Sequence, residues 1–228
     1  VRILSAGKIQ VKFSPLPAVR PAYLPDAKLP ADYELQTFNL AARWYHHSQL
    51  IISEPRYKEL EKMLLNGIET APAPGDTAPP GDGRFGIQEG YTSNIQPDGS
   101  QWQRTPIRDD CNTESAMVLA MDWYLNKNVK SKQIAQNIFD FNFSSCMVRG
   151  RADPKHPAFG LISWGIISPA WEIANYGDDN ARAILAAILG AKCLKTTKWD
   201  ETILRALYAN LRTTGKLGFR TDRIDIPD

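Results

Sequence analysis

The chain has 228 residues, of which 43% are hydrophobic and 23% charged, with a net charge of +2. That length is one large domain or two small ones, long enough to bury a real core, in the composition of an ordinary globular protein. Near-neutral charge without a Lys/Arg run gives no reason to expect nucleic acid, and no run of about 18 apolar residues exists to span a membrane. Cys111, Cys146 and Cys193 are an odd number at wide spacings, which argues against a disulfide framework and a Cys-rich zinc site. A start at Val1 without a signal-like segment points to a processed product or a piece of something longer.

Residues 1–36 form the first segment. Val1–Leu4 and Lys8–Phe13 alternate like short strands, and Pro15, Pro17, Pro21 and Pro25 follow. This reads as a strand or two of a neighbouring domain and an extended linker. Residues 37–228 read as helical. Phe38, Ala41, Ala42, Tyr45, Gln49 and Ile52 trace one face, and Ser53-Glu54-Pro55 opens a second helix with proline in its first turn. The Pro/Gly/Ala run from Thr70 to Gly83 is expected to be a long, dispensable surface loop. Pro97-Asp98-Gly99 is a tight turn. Asn112 is placed to cap a helix to about Asn126, Ser131 the next, and Asp200 the last, which Thr214-Gly215 ends. Between them lies a helix with small side chains at Ala183, Ala186, Ala187, Gly190 and Ala191, a surface that lets another helix approach closely. The expectation is an all-α body of about six helices in antiparallel hairpins, with long aromatic loops between alternate ones.

Two stretches put adjacent aspartates at the mouth of a helix: Arg108-Asp109-Asp110-Cys111-Asn112-Thr113-Glu114 and Tyr176-Gly177-Asp178-Asp179-Asn180-Ala181-Arg182. A helix N-terminus favours negative charge, so single carboxylates there are ordinary caps. Two neighbouring carboxylates repel, and a partly buried pair holds one proton more tightly, which gives an acid beside a base. Asp109, Asp110, Asp178 and Asp179 are therefore the candidate catalytic residues. The loops ahead of each pair carry groups that stack or hydrogen-bond as a sugar site requires: Glu89, Tyr91, Trp102, Arg104 and Arg108 before the first, Trp164 and Tyr176 before the second. Arg104 and Arg108 suit the bidentate grip of a uronate carboxylate. The bland account of Trp164 and Trp171 is core packing. His156 sits in a turn, and His46-His47 point to different faces, so no metal and no cofactor is assigned.

The words Glu89-Gly90-Tyr91-Thr92-Ser93, Asp98-Gly99-Ser100-Gln101, the two aspartate segments and Asn210-Leu211-Arg212-Thr213-Thr214-Gly215 resemble the six-hairpin glycosidase superfamily over about Phe38 to Arg223. The resemblance implies an (α/α)6 toroid, a bacterial glycoside hydrolase active on a polysaccharide or oligosaccharide, and acid/base work by aspartates at helix ends. It places those roles on Asp109 or Asp110 with Asp178 or Asp179. A periplasmic or secreted location goes with glycan degradation. About half of the twelve helices are present, so the remainder is expected from a longer chain or a second chain. A polysaccharide lyase using Tyr91 or His156, and a non-catalytic sugar- or partner-binding module, are the alternatives. The first aspartate pair also resembles the magnesium motif of terpene synthases, and Asp109-x-Cys111 with His156 the zinc ligands of protein prenyltransferases. The former lacks its second metal-binding helix in this sequence, and the surrounding sequence gives the latter no further support.

Overall fold

The computed structural model of the chain describes residues 23–145 and 151–226, so the strands expected at residues 1–13 lie outside the described residues. The chain divides into two compact units with the boundary between Thr37 and Phe38. The described residues form seven helices: α1 (Tyr33–His47), α2 (Glu54–Leu65), α3 (Asp109–Asn126), α4 (Val129–Ser144), a short α5 (Pro169–Glu172), α6 (Gly177–Leu194) and α7 (Asp200–Arg212). Five strands accompany them: β1 (Thr70–Pro72), β2 (Gly90–Ile95), β3 (Gln101–Arg104), β4 (Ala174–Tyr176) and β5 (Arg223–Asp225). The body is mostly helical, but two small antiparallel sheets, ordered β1-β3-β2 and β4-β5, interrupt the expected all-α pattern. Among the described residues no helix is long and apolar enough to cross a membrane.

Helix starts follow chain chemistry with shifts of a few residues. Ser53, in extended backbone, precedes α2, and proline stands in its first turn. α3 begins at Asp109, ahead of Asn112, because Arg108 is the extended residue at its mouth. Asn128, not Ser131, caps α4: its Oδ1 accepts from the Lys130 and Ser131 amides. Ser131 instead gives its hydroxyl proton to Asp122 Oδ2 at 2.5 Å. Trp199 precedes α7, and Asp200 is its first helical residue.

The core lies where α3 packs against both α4 and α6, with Leu119, Ala120, Ile138, Phe139, Ala183 and Ala187 sealed inside. The small side chains of α6 serve the close approach expected of them. A Cβ on Gly190 would lie 2.4 Å from the Phe139 ring of α4. Burial of these side chains supplies about 1.5–3 kcal/mol for each of the larger ones. The other side of the α6–α7 pair is apolar yet exposed, with Leu185, Ile188 and Leu189 on α6 and Leu204, Leu207, Tyr208 and Leu211 on α7.

The run Thr70–Gly83 is not the free loop its composition suggests. Thr70, Ala71 and Pro72 pair with Arg104, Gln103 and Trp102 of β3, and Ala71 is buried. At the other end Gly83 has φ +89°, and a Cβ there would lie 2.6 Å from the Ile134 carbonyl of α4. Both ends are anchored by partners distant in sequence. The Pro97-Asp98-Gly99 turn does close the β2–β3 hairpin: Gln96 N–H donates to Ser100 O, and Asp98 Oδ1 accepts from the Ser100 amide.

Gly83→Ala should therefore lower stability by about 2 kcal/mol or more, since it combines a left-handed backbone with a steric clash. Gly75→Ala, with nothing within 4 Å of its Cβ, should stay within about 0.5 kcal/mol of the parent. Urea unfolding of the two variants measures both, and equal effects would return the whole run to a dispensable loop.

Candidate functional site

The site forms where the first turns of α3 and α6 lie side by side. Each helix is fastened there by an asparagine at its fourth residue. Asn112 Oδ1 accepts from Ile87 N–H, and its Nδ2 donates to the Arg108 carbonyl at 2.6 Å. Asn180 Oδ1 accepts from Ile162 N–H, and its Nδ2 donates to the Tyr176 carbonyl at 3.0 Å. Both side chains also donate to the carbonyl of the residue they clamp, and both are fully buried. The same device thus ties each helix start to the loop that precedes it.

Aligned on these asparagines, the two aspartate pairs are out of step. They are the first and second residues of α3 but the second and third of α6. One residue is about 100° around a helix, so the four carboxylates take different surroundings. Asp178 is exposed. Asp109 is fully buried, and neither carboxyl oxygen has a hydrogen-bond partner. Asp110 and Asp179, both buried, meet: Asp110 Oδ2 and Asp179 Oδ1 each lie 3.2 Å from Arg108 Nη2. The same two oxygens lie 2.7 and 3.7 Å from Arg182 Nη1.

A ladder of charge extends from this dyad. Arg108 Nη1 reaches Glu89 at 3.2 Å, and Arg104 holds Glu89 at 3.2 Å and Glu69 at 3.5 Å. At the other end Arg182 holds Glu114 with two donors, at 3.0 and 2.5 Å. Glu114 and Arg182 are each the sixth residue of their helix, so the ion pair repeats the alignment of the asparagines. The Arg108 guanidinium also lies 4.8 Å from the centre of the Trp164 ring, a cation–π contact. Trp164 is held in turn by Trp171, edge-on at 5.1 Å, and its carbonyl accepts from Asp109 N–H.

Burial governs the protons here. It raises the Asp179 carboxyl to about 6; repulsion by Asp110 adds to the shift, and Arg108 opposes it. Burial also pushes Asp109 well above the carboxylate range, with Asp110 and Asp179 contributing. Burial and Asp110 raise the Cys111 thiol, which makes it a poor nucleophile. Asp110 thus acts on both its neighbour Asp109 within the first pair and Asp179 across the two helices.

The expected sugar-contacting residues divide between two faces. On β3, Trp102 and Arg104 point outward, Trp102 being 45% exposed, while Gln103 points in and is sealed. Tyr91, paired with Gln103, turns inward and donates its hydroxyl to Ser48 O at 2.7 Å. Tyr176 stands beside Trp164 at 6.4 Å and accepts from Arg223 at 3.3 Å. Glu89, Arg104, Arg108 and Trp164 come together with the dyad, Trp102 stands next to Arg104 along the strand, and Tyr91 belongs to the packing beneath.

One cluster has no signal in the sequence. His46 Nε2, Ser131 Oγ and Asp122 Oδ2 form a chain of 2.7 and 2.5 Å contacts. Ser131 gives its only proton to Asp122 and is fully buried, so it orders the start of α4 and offers no nucleophile. Cavities of about 430 Å3 open beside His46, His47 and Lys130, and neither is lined by Asp109, Asp110, Asp178, Asp179 or Arg108. Among the described residues no group of three His, Cys, Asp or Glu side chains is placed to hold a metal ion.

Since folding raises the Asp179 pKa above its unfolded value, near 3.9, its contribution to stability is full below about pH 4 and is lost as pH rises through about 6. Asp179→Asn should therefore gain stability on the parent between pH 4 and pH 7, on the order of 1–2 kcal/mol. Asp109→Asn, which mimics a neutral carboxyl, should unfold at pH 7 no more easily than the parent. Urea titrations across this range test both, and a constant deficit for Asp179→Asn at every pH would mean that its ion pairs dominate.

No family model, no curated protein and no solved structure matches the chain.

Proposed function

We propose that the Asp110–Asp179 dyad is the proton donor of a glycoside hydrolase, acting on a polysaccharide or oligosaccharide. One observation carries the reading: two carboxylates from separate helices share the Arg108 and Arg182 guanidiniums, with the Asp179 proton held to about pH 6. A carboxylic acid that stays protonated near neutral pH is what departure of a sugar leaving group needs.

The two carboxyls share guanidinium nitrogens with each other, whereas the pair that flanks a glycosidic bond must leave room for the sugar between them. They therefore serve together as one half of the machinery. Glu89 supplies the other half. It grips Arg108 Nη1 while the dyad holds Nη2, so a single guanidinium sets the spacing between acid and base. Glu89 is also more open than the dyad, its side chain being 21% exposed. Asp109, sealed from solvent, does not meet substrate. The lyase alternative asks for a free tyrosine or histidine base, whereas the Tyr91 hydroxyl is committed to Ser48 O. The exposed apolar side of α6 and α7 is the flank that further hairpins, from a longer chain or a second one, would cover.

Asp179→Asn, Asp110→Asn and Glu89→Gln should each reduce release of reducing sugar by about 10²-fold or more. In Asp179→Asn the limb of the pH–rate profile near 6 should also disappear. Turnover that persists in all three variants would remove the dyad from the chemistry.

A further inference from the structure

The arginines that the sequence offers to an acidic sugar are already occupied. Arg104 holds Glu69 and Glu89; Arg108 holds Glu89, Asp110 and Asp179; Arg182 holds Asp110 and Glu114. Three guanidiniums face five carboxylates. Even with the Asp179 proton in place, four negative charges stand against three positive. Among the described residues Arg220 is a further cation at the mouth of α6, but it turns onto Asn210 Oδ1 at 2.8 Å and Asn175 O at 3.0 Å. A carboxylate or sulfate brought to this ledge meets net negative charge in a half-buried setting where screening is weak. It would also have to draw a guanidinium away from a carboxylate left behind unpaired, which costs more than the new pair returns.

A hydroxyl group meets the opposite situation. Carboxylates already fixed by arginines keep free lone pairs and accept from sugar hydroxyls without reorganising. Trp102 stands two residues from Arg104 on the same outward face of β3, about 7 Å along the strand. Its exposed ring offers the stacking face that a pyranose needs. Trp164 cannot offer the same, since Arg108 covers one face and Trp171 its edge.

Resting on the hydrolase reading, we infer that the ligand of this ledge is an uncharged sugar chain, stacked on Trp102, and that uronate and sulfated sugars are rejected. The selectivity is electrostatic and built into the protein: the negative side chains that hold the arginines also repel an acidic glycan.

The test titrates the protein with neutral tetrasaccharides built from glucose, mannose or xylose and with tetrasaccharides of galacturonate or glucuronate, following tryptophan fluorescence alongside sugar release. At least one neutral tetrasaccharide should bind 10-fold or more tightly than either uronate, and Trp102→Ala should weaken it by about 10-fold. Replacing Glu69 and Glu114 together by glutamine removes two negative charges and one carboxylate partner each from Arg104 and Arg182, and should bring uronate binding up towards the neutral level. Uronates bound as well as neutral chains, or no binding by any of the sugars, overturns the inference. Neutral binding without turnover would uphold it and remove the hydrolase reading instead.

Discussion

One guanidinium joins the parts of this molecule that chemistry could use. Arg108 is the residue at which the chain turns into α3, and from there it touches Glu89 ahead of β2, Asp110 on α3, Asp179 on α6 and the ring of Trp164. Two buried carboxylates with their oxygens on one nitrogen would repel strongly in a low-dielectric setting. The arginine between them changes that sign, and the amide-rich starts of α3 and α6 add a favourable field for negative charge. Arg182 reaches the same two oxygens from the more exposed side, so both guanidiniums let the two helix starts sit side by side.

The buried asparagines make the position of that arginine unavoidable. Asn112 and Asn180 each bond to both backbone groups of a loop isoleucine and to the carbonyl at the mouth of their own helix. A buried amide with its donors and acceptor engaged in this way is costly to misplace, so it fixes the helix start to within a fraction of a turn. From that fixed start the offset of one residue between the aspartate pairs follows directly. It sends Asp178 to solvent, Asp109 to the interior, and Asp110 and Asp179 towards each other.

Much of this could be read from the letters, and what could not has a common cause. Pro55 marks the start of α2, the Pro97-Asp98-Gly99 turn marks a hairpin, and the small residues of α6 mark a close helix contact, because each is a local rule. The doubled aspartates flagged the site, and Glu89, Arg104, Arg108 and Trp164 do gather around two of them. Strand β1 escaped notice because Thr70–Pro72 has no strand pattern and exists only by pairing with β3. Asn112 and Asn180 look like caps or surface residues until the loops they clamp are in place. The inward turn of Tyr91 was equally hidden, since it depends on which face of β3 the core takes.

Asp109 is where stability and use of the site part company. An alanine at the first position of α3 would carry the helix as well and would remove a buried acid that has no hydrogen-bond partner. The acid is kept neutral by its burial and by the two carboxyls in front of it, so the fold tolerates it without an ion pair. In the neutral form it is a dipole behind the dyad; in the charged form it would be a third negative charge in the same small volume. Asp110 and Asp179 raise the cost of charge at Asp109, and Asp110 and Asp178 raise it at Asp179. A cluster built only to bind two helices together would do better with fewer acids, since each carboxyl added in this buried setting must either find a guanidinium or keep its proton.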